Sequence, residues 1–176
     1  MNEIMKKNGI KFGIISGIIG ILSMIIPYVL DLSLLVKWWY GLSILLIYFI
    51  IGCILLINTR KELNDILSFK DAFKTYFISA LIGIFIGVLF NIIFFNYVDT
   101  EVAQQVKELN IENTVAMMKK FGAPTSSIKE TVEKLEDYNQ FGVVEQLKGI
   151  IWSLIGSTIF GLILAAIFKR KPKEQI

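Results

Sequence analysis

The residues best equipped for chemistry in this chain are carboxylates, and they crowd into one stretch: Asp99, Glu101, Glu108, Glu112, Glu130, Glu133, Glu136 and Asp137. Paired acids can carry out general acid–base catalysis, and closely spaced ones can hold calcium. Their spacing supports neither. It lacks the ligand pattern of an EF-hand loop, and most of these acids fall on the polar faces of amphipathic helices, where a solvated face is the simpler account. Histidine, the commonest general base and metal ligand, does not occur in the sequence. The single cysteine, Cys53, can form neither an internal disulfide nor a cysteine-rich metal site, and in mid-helix it reads as a small apolar filler. Phosphate-cradling glycine loops, zinc spacings and nucleophile elbows are missing as well. The expectation is a non-enzymatic protein with no catalytic, cofactor-binding or metal-binding residues, no cofactor and no nucleic-acid partner.

The elements around these acids explain why they stand together. At 55% hydrophobic residues over 176 positions, the chain is too apolar for an ordinary soluble domain, and its apolar runs approach the roughly 20 residues that cross a bilayer core of about 30 Å. The fold class is all-α. The chain reads as one polytopic membrane domain over 1–176, with transmembrane helices at about 10–30, 38–57, 74–95 and 147–168. A polar insert over 97–146 separates the third helix from the fourth and contains the carboxylates.

Lys6, Lys7 and Lys11 precede the first helix, much as in a secretory signal. The long apolar region, the absence of a small-x-small cleavage site and Pro27 near the far end favour a retained helix, kinked or simply finishing at the proline. Trp38-Trp39-Tyr40 marks the headgroup level where the second helix starts. Ser68 and Asp71 read as a capping pair at an interfacial lead-in to the third helix. Within the insert, Asp99-Thr100 caps a first helix with a break near Asn110, Gly122-Ala123-Pro124 stops it, and Ser127-x-x-Glu130 reads as a capping box for a second. The shape implied is an αα-hairpin. The Lys and Arg residues of the N-terminus, the 60–74 connection and the C-terminal tail, Lys169-Arg170-Lys171-Pro172-Lys173, all fall on one side of four crossings. Both termini are therefore expected in the cytoplasm, with the hairpin outside a bacterial cytoplasmic membrane.

Small residues recur every fourth position on three helices: Gly9, Gly13 and Gly17; Ser79, Gly83 and Gly87; and Gly149, Ser153, Ser157, Gly161 and Ala165. Such stripes allow close backbone approach in lipid. Gly13, Gly17, Gly83, Gly87, Ser157 and Gly161 are thus candidate helix-packing residues, serving either the bundle itself or a homo-oligomer. Lys11 and 15–21 also resemble Lys74 and 78–84, although shared Ile/Gly composition accounts for that likeness. The spans carry no Asp, Glu, Lys, Arg or His in their cores, which argues against a proton-coupled transporter. Asn91 is their most polar candidate, read as an interhelical hydrogen-bonding group.

Four helices, the stretch Arg60-Lys61-Glu62 to Ser68-Phe69-Lys70-Asp71-Ala72-Phe73-Lys74, the exit Asn91-x-x-x-Phe95-Asn96-Tyr97 and the Met117-Met118-Lys119-Lys120 insert together resemble domain of unknown function 4199, a family of small bacterial membrane proteins. The resemblance spans nearly the whole chain and implies a four-helix layout with an insert before the last helix. It implies no activity and no site residues. Two functions remain in view. One is a scaffold or accessory subunit whose hairpin, through Val132 and Leu135, contacts an unidentified membrane or periplasmic protein; the other is an oligomeric channel or transporter subunit.

Overall fold

A computed structural model describes residues 2–170. Among these residues the chain is helical throughout, with four helices long and apolar enough to cross a membrane. Helix α1 runs from Glu3 to Leu30 and starts well before the hydrocarbon boundary read from the sequence, because Asn2 caps it by accepting the Ile4 N–H at 3.0 Å. Pro27 lies inside α1 and has no N–H to give the carbonyl of Ser23. The Tyr40 hydroxyl, from the second span, donates to that carbonyl at 2.7 Å instead. The helix can therefore continue through the proline to Leu30.

A short 3-10 turn, Leu32–Val36, leads into α2, Trp38–Glu62. Helix α3 spans Phe69–Ile93, capped by Ser68, whose Oγ accepts the Asp71 N–H at 3.1 Å and donates to the Asp71 carboxylate at 2.7 Å. The lead-in and the third span are thus one continuous helix. A π turn, Phe94–Val98, closes it, and α6 covers Val143–Phe168, one turn earlier than read from the sequence.

In the ring of spans, α1 packs on α3, α3 on α6, α6 on α2, and α2 back on α1. The closest seam is α1–α3. A Cβ on Gly13 would lie 2.7 Å from Ile82 Cβ and 2.9 Å from the Ser79 carbonyl, and one on Gly17 would lie 2.7 Å from Ile86. On the opposite side from the insert, the connection between the second and third spans meets the end of α6. There Leu67 and Arg170 exchange backbone hydrogen bonds at 3.1 and 2.7 Å. Asn64 and Asp65, at φ 54° and 64°, make the left-handed turn before that bridge, a conformation their short polar side chains tolerate. Arg60 Nε stands 3.3 Å from Asp65 Oδ1, near enough to pair as ions but not aligned as a hydrogen bond. Beneath this latch, Met5, Phe12, Leu55, Leu56, Ala72 and Leu164 pack into a dry terminal-side layer. The Asn8 amide donates to buried Thr59 Oγ1 within it at 3.3 Å. Residues Lys171, Pro172 and Lys173 of the basic tail lie outside the described part of the chain.

The insert comprises α4, Thr100–Lys120, and α5, Thr125–Asp137. Asp99 caps α4 through the Val102 N–H at 3.2 Å. The break expected near Asn110 does not occur. Val102 and Val106 face the end of the bundle, buried with Met24, Phe94 and Phe95, and the slip in phase after them marks a change of partner along a continuous helix. Gly122, at φ 72°, makes the turn that a side chain would strain. The Ser127 capping box is also absent. Helix α5 starts nearly one turn earlier, after Pro124, so Ser127 is interior and Glu130 pairs forward with Lys134 at 2.7 Å. That hydrogen bond and the lysine's charge hold the Glu130 carboxyl below its ordinary range. Helix α5 doubles back along α4, with Lys107 Nζ donating to the Glu136 carbonyl and Asn110 to Gln140. The return to α6 is fixed where the Phe141 ring stacks on Phe95 at 4.0 Å and the Asn96 amide donates to the Phe141 carbonyl at 2.9 Å.

Candidate functional site

Between the terminal-side layer and the layer beneath the insert, the four spans line a half-open cavity of about 460 Å³. All four helices contribute to it. Its floor is Ile51, Gly52 and Tyr76, next to the terminal-side layer. Toward the insert it is lined by Ser23, Leu45, Asn91 and Ser153.

The space exists because small residues stand where large ones would meet. No atom lies within 4 Å of where a Cβ on Gly87 or Gly156 would be, and both residues line the cavity. Gly83, one turn from Gly87, is different: its Cβ would come within 2.9 Å of Ser16 Cβ. The α3 glycine stripe therefore packs at one end and lines a hollow at the other. At Gly20 a Cβ would lie 2.9 Å from the Tyr48 hydroxyl, which reaches across to the Ser16 carbonyl at 3.4 Å.

The lining is mostly apolar, with a few uncharged polar groups set into it. Ser16 and Ser79 are 92% and 96% buried by their exposures of 8% and 4%. Ser23 and Ser157 satisfy their own helices, donating to Gly20 and Leu154 carbonyls at 2.7 and 3.2 Å. Ser16 and Ser79 make no such side-chain bond among the described residues, so their hydroxyls remain for whatever fills the cavity. The walls are unequal. Helix α2 buries nothing before Ile51, and α6 nothing before Gly161, so their insert-side halves are loosely held. One aromatic contact joins them at this depth, Phe49 edge-on to Phe160 at 6.4 Å between ring centres.

The candidate packing residues from the sequence divide among three places. Gly13 and Gly17 lie in the α1–α3 seam, and Gly83 lies both in that seam and in the cavity lining; Gly161 lies against Tyr76, whose ring would be 2.7 Å from an added Cβ; Gly87 and Ser157 line the cavity. Val132 and Leu135 are half-buried on α5, and Asn91 lines the cavity. Tyr48, Tyr76 and Ser16 were not candidates from the sequence, and Ser79 stood there only as a member of a small-residue stripe, because each is a single polar residue inside an apolar helix. Their one visible signal is the Ser16/Ser79 correspondence in the 15–21 and 78–84 segments, which places one serine on each of two adjacent helices.

A second hollow, of about 320 Å³, lies between the 3-10 turn and α4 and includes Asp31, Ser33, Glu108 and Glu112. Asp31 is already engaged there, accepting from Ser33 Oγ at 2.6 Å and from the Ser33 N–H at 2.9 Å. Those two bonds, the hydroxyl's first, hold its carboxyl below the usual range.

Four apolar spans and a capping two-helix insert define a polytopic α-helical membrane protein. The chain belongs to the family described as Protein of unknown function (DUF4199), whose family model matches residues 11–170. No curated protein and no solved structure matches it.

Proposed function

We propose that this protein is a non-enzymatic membrane protein that binds an uncharged amphipathic small molecule in the cavity between its four spans. The observation that carries this reading is the pairing of Gly87 and Gly156, open to empty space, with the unbonded hydroxyls of Ser16 and Ser79 in the same lining. An apolar void alone would be a packing defect; hydroxyls lining it supply the few convergent polar groups that orient a ligand. Because no ionisable acid or base lines it, a charged ligand would have no partner there and would bear the full cost of leaving water. Access runs between the loosely held halves of α2 and α6, above the Phe49–Phe160 contact, so the ligand comes from the lipid phase. The packed layer of Leu55, Leu56 and Leu164 below the floor makes this a one-ended pocket, which suits a carrier or receptor better than an open channel.

The orientation follows from charge. Lys6, Lys7, Lys11, Arg60, Lys61 and Lys70 stand on the terminal side, so both termini face the cytoplasm of a bacterium and the cavity opens toward the outer leaflet. The accessory-subunit reading is less well supported at its chosen residues, since Val132 and Leu135 are half-buried on the α5 face rather than free.

The test is mass spectrometry of small molecules that accompany the purified protein. Wild type should carry a discrete uncharged amphiphile that Gly87→Leu and Gly156→Leu, which fill the cavity, do not carry. The same bound molecules in all three proteins would refute the proposal.

A further inference from the structure

The tip of the insert has a composition that its packing inside the chain does not use. Besides its buried valines, α4 is hydrogen-bonded to the ends of the spans at two points: Asp99 accepts from the Tyr28 hydroxyl at 3.1 Å, at the end of α1, and the Asn113 amide donates to the Val36 carbonyl at 3.1 Å, just before α2. Both anchors lie where a span meets the headgroups. They are 14 residues apart, about 21 Å along the helix at 1.5 Å per residue, so the axis of α4 runs along the membrane surface. Beyond Asn113 the same helix continues for about two turns to Lys120. Its end carries Met117, 54% exposed, and Phe121, 81% exposed, with Lys119 and Lys120 beside them and no ion pair to either lysine among the described residues. Trp38, 79% exposed, starts α2 two residues after the Val36 anchor and belongs to the same level.

We propose that this tip docks on the bilayer surface beside α2, with Met117 and Phe121 entering the headgroup–acyl boundary and Lys119 and Lys120 pairing with anionic phospholipid headgroups. Three features favour lipid over protein. The exposed pair is spaced i, i+4, so it makes one narrow apolar edge on a surface-lying helix, the pattern of an interfacial segment. The lysines flank that edge and can send their ammonium groups to phosphate while their stems lie along the acyl boundary. The patch continues the aromatic level already set by Trp38. The insert then serves as an outrigger that sets the tilt of α2, one wall of the cavity. This inference stands whether or not the cavity binds a ligand.

The test uses the full-length protein with Cys53→Ala, carrying Phe121→Cys or, as a control on the exposed face of α5, Lys129→Cys. Each is spin-labelled and reconstituted in vesicles of phosphatidylethanolamine with phosphatidylglycerol, or of phosphatidylcholine alone. The expected result is a ratio of oxygen to nickel-chelate collisions several-fold higher at 121 than at 129 in the anionic vesicles. That difference should shrink in phosphatidylcholine and with Lys119→Glu/Lys120→Glu. Equal, water-like ratios at both positions would overturn the proposal. So would protection at 121 that depends on protein concentration and not on lipid charge, which would assign the tip to a second copy of the chain.

Discussion

Gly13 and Gly87 are the same residue type on helices of the same bundle, yet alanine should have opposite effects at the two positions. At Gly13 the added methyl would meet Ile82 Cβ at 2.7 Å and the Ser79 carbonyl at 2.9 Å, and neither a branched Cβ nor a backbone oxygen can rotate away. Overpacking of this kind costs about 1–3 kcal/mol. At Gly87 the methyl would meet nothing within 4 Å. Both substitutions gain the same helix propensity, about 1 kcal/mol, so it cancels when the two are compared. What remains is the steric difference, and at roughly 2–4 °C per kcal/mol it separates the two melting temperatures by roughly 2–12 °C. Gly87→Ala should melt at or above wild type and Gly13→Ala below it, in thermal scans followed by far-ultraviolet circular dichroism in detergent. Adding Ile82→Ala to Gly13→Ala should recover part of the loss, making the double variant more stable than the sum of the singles. Equal melting temperatures for the two alanines would show that α1 and α3 do not meet at Gly13 or that Gly87 does not face a void.

Tyr40→Phe should destabilise the bundle by about 1–3 kcal/mol, because it strips the Ser23 carbonyl of the hydroxyl that stands in for the missing Pro27 N–H; a Tyr40→Phe protein that melts like wild type would refute that role. Asp99→Ala should cost about 0.5–2 kcal/mol through the lost cap and release the start of α4, seen as faster hydrogen exchange at the Val102 amide; unchanged exchange would count against the cap. The Asp31 carboxyl titrates below its ordinary 3.8, so the contribution of its bonds to Ser33 is complete above that value and lost as the pH falls through the lowered one. Protection of the Ser33 amide should therefore persist from neutral pH down to the ordinary carboxylate range and fall only below it; loss at higher pH would contradict the assignment.

The four spans were legible because apolar runs of membrane length have few alternatives, and the caps at Ser68 and Asp99 were legible because each puts a side-chain acceptor at a helix start. Boundaries were less so. Hydropathy marks where hydrocarbon begins, whereas α1 starts where Asn2 can cap it, and the lysines between those points are charged yet helical. The capping box at Ser127 was a sound local pattern that Pro124 pre-empted by fixing the backbone earlier. The apparent break at Asn110 came from reading one apolar stripe against one partner, when α4 has two. The cavity was hidden for a more general reason. A small residue in a membrane helix permits either close approach or empty space, and only the neighbouring helix decides which. Gly83 and Gly87, one turn apart, fall on either side of that division.

The central claim, that the space between the spans is a site for an uncharged amphiphile, is tested most directly with a photoactivatable fatty alcohol in the reconstituted protein. Adducts mapped by mass spectrometry should concentrate on cavity residues such as Ser16, Ser79, Tyr48 and Ser157 and disappear in Gly87→Leu and Gly156→Leu proteins that melt like wild type. Adducts confined to lipid-facing residues such as Ile18 and Phe85, and unchanged by those substitutions, would contradict it.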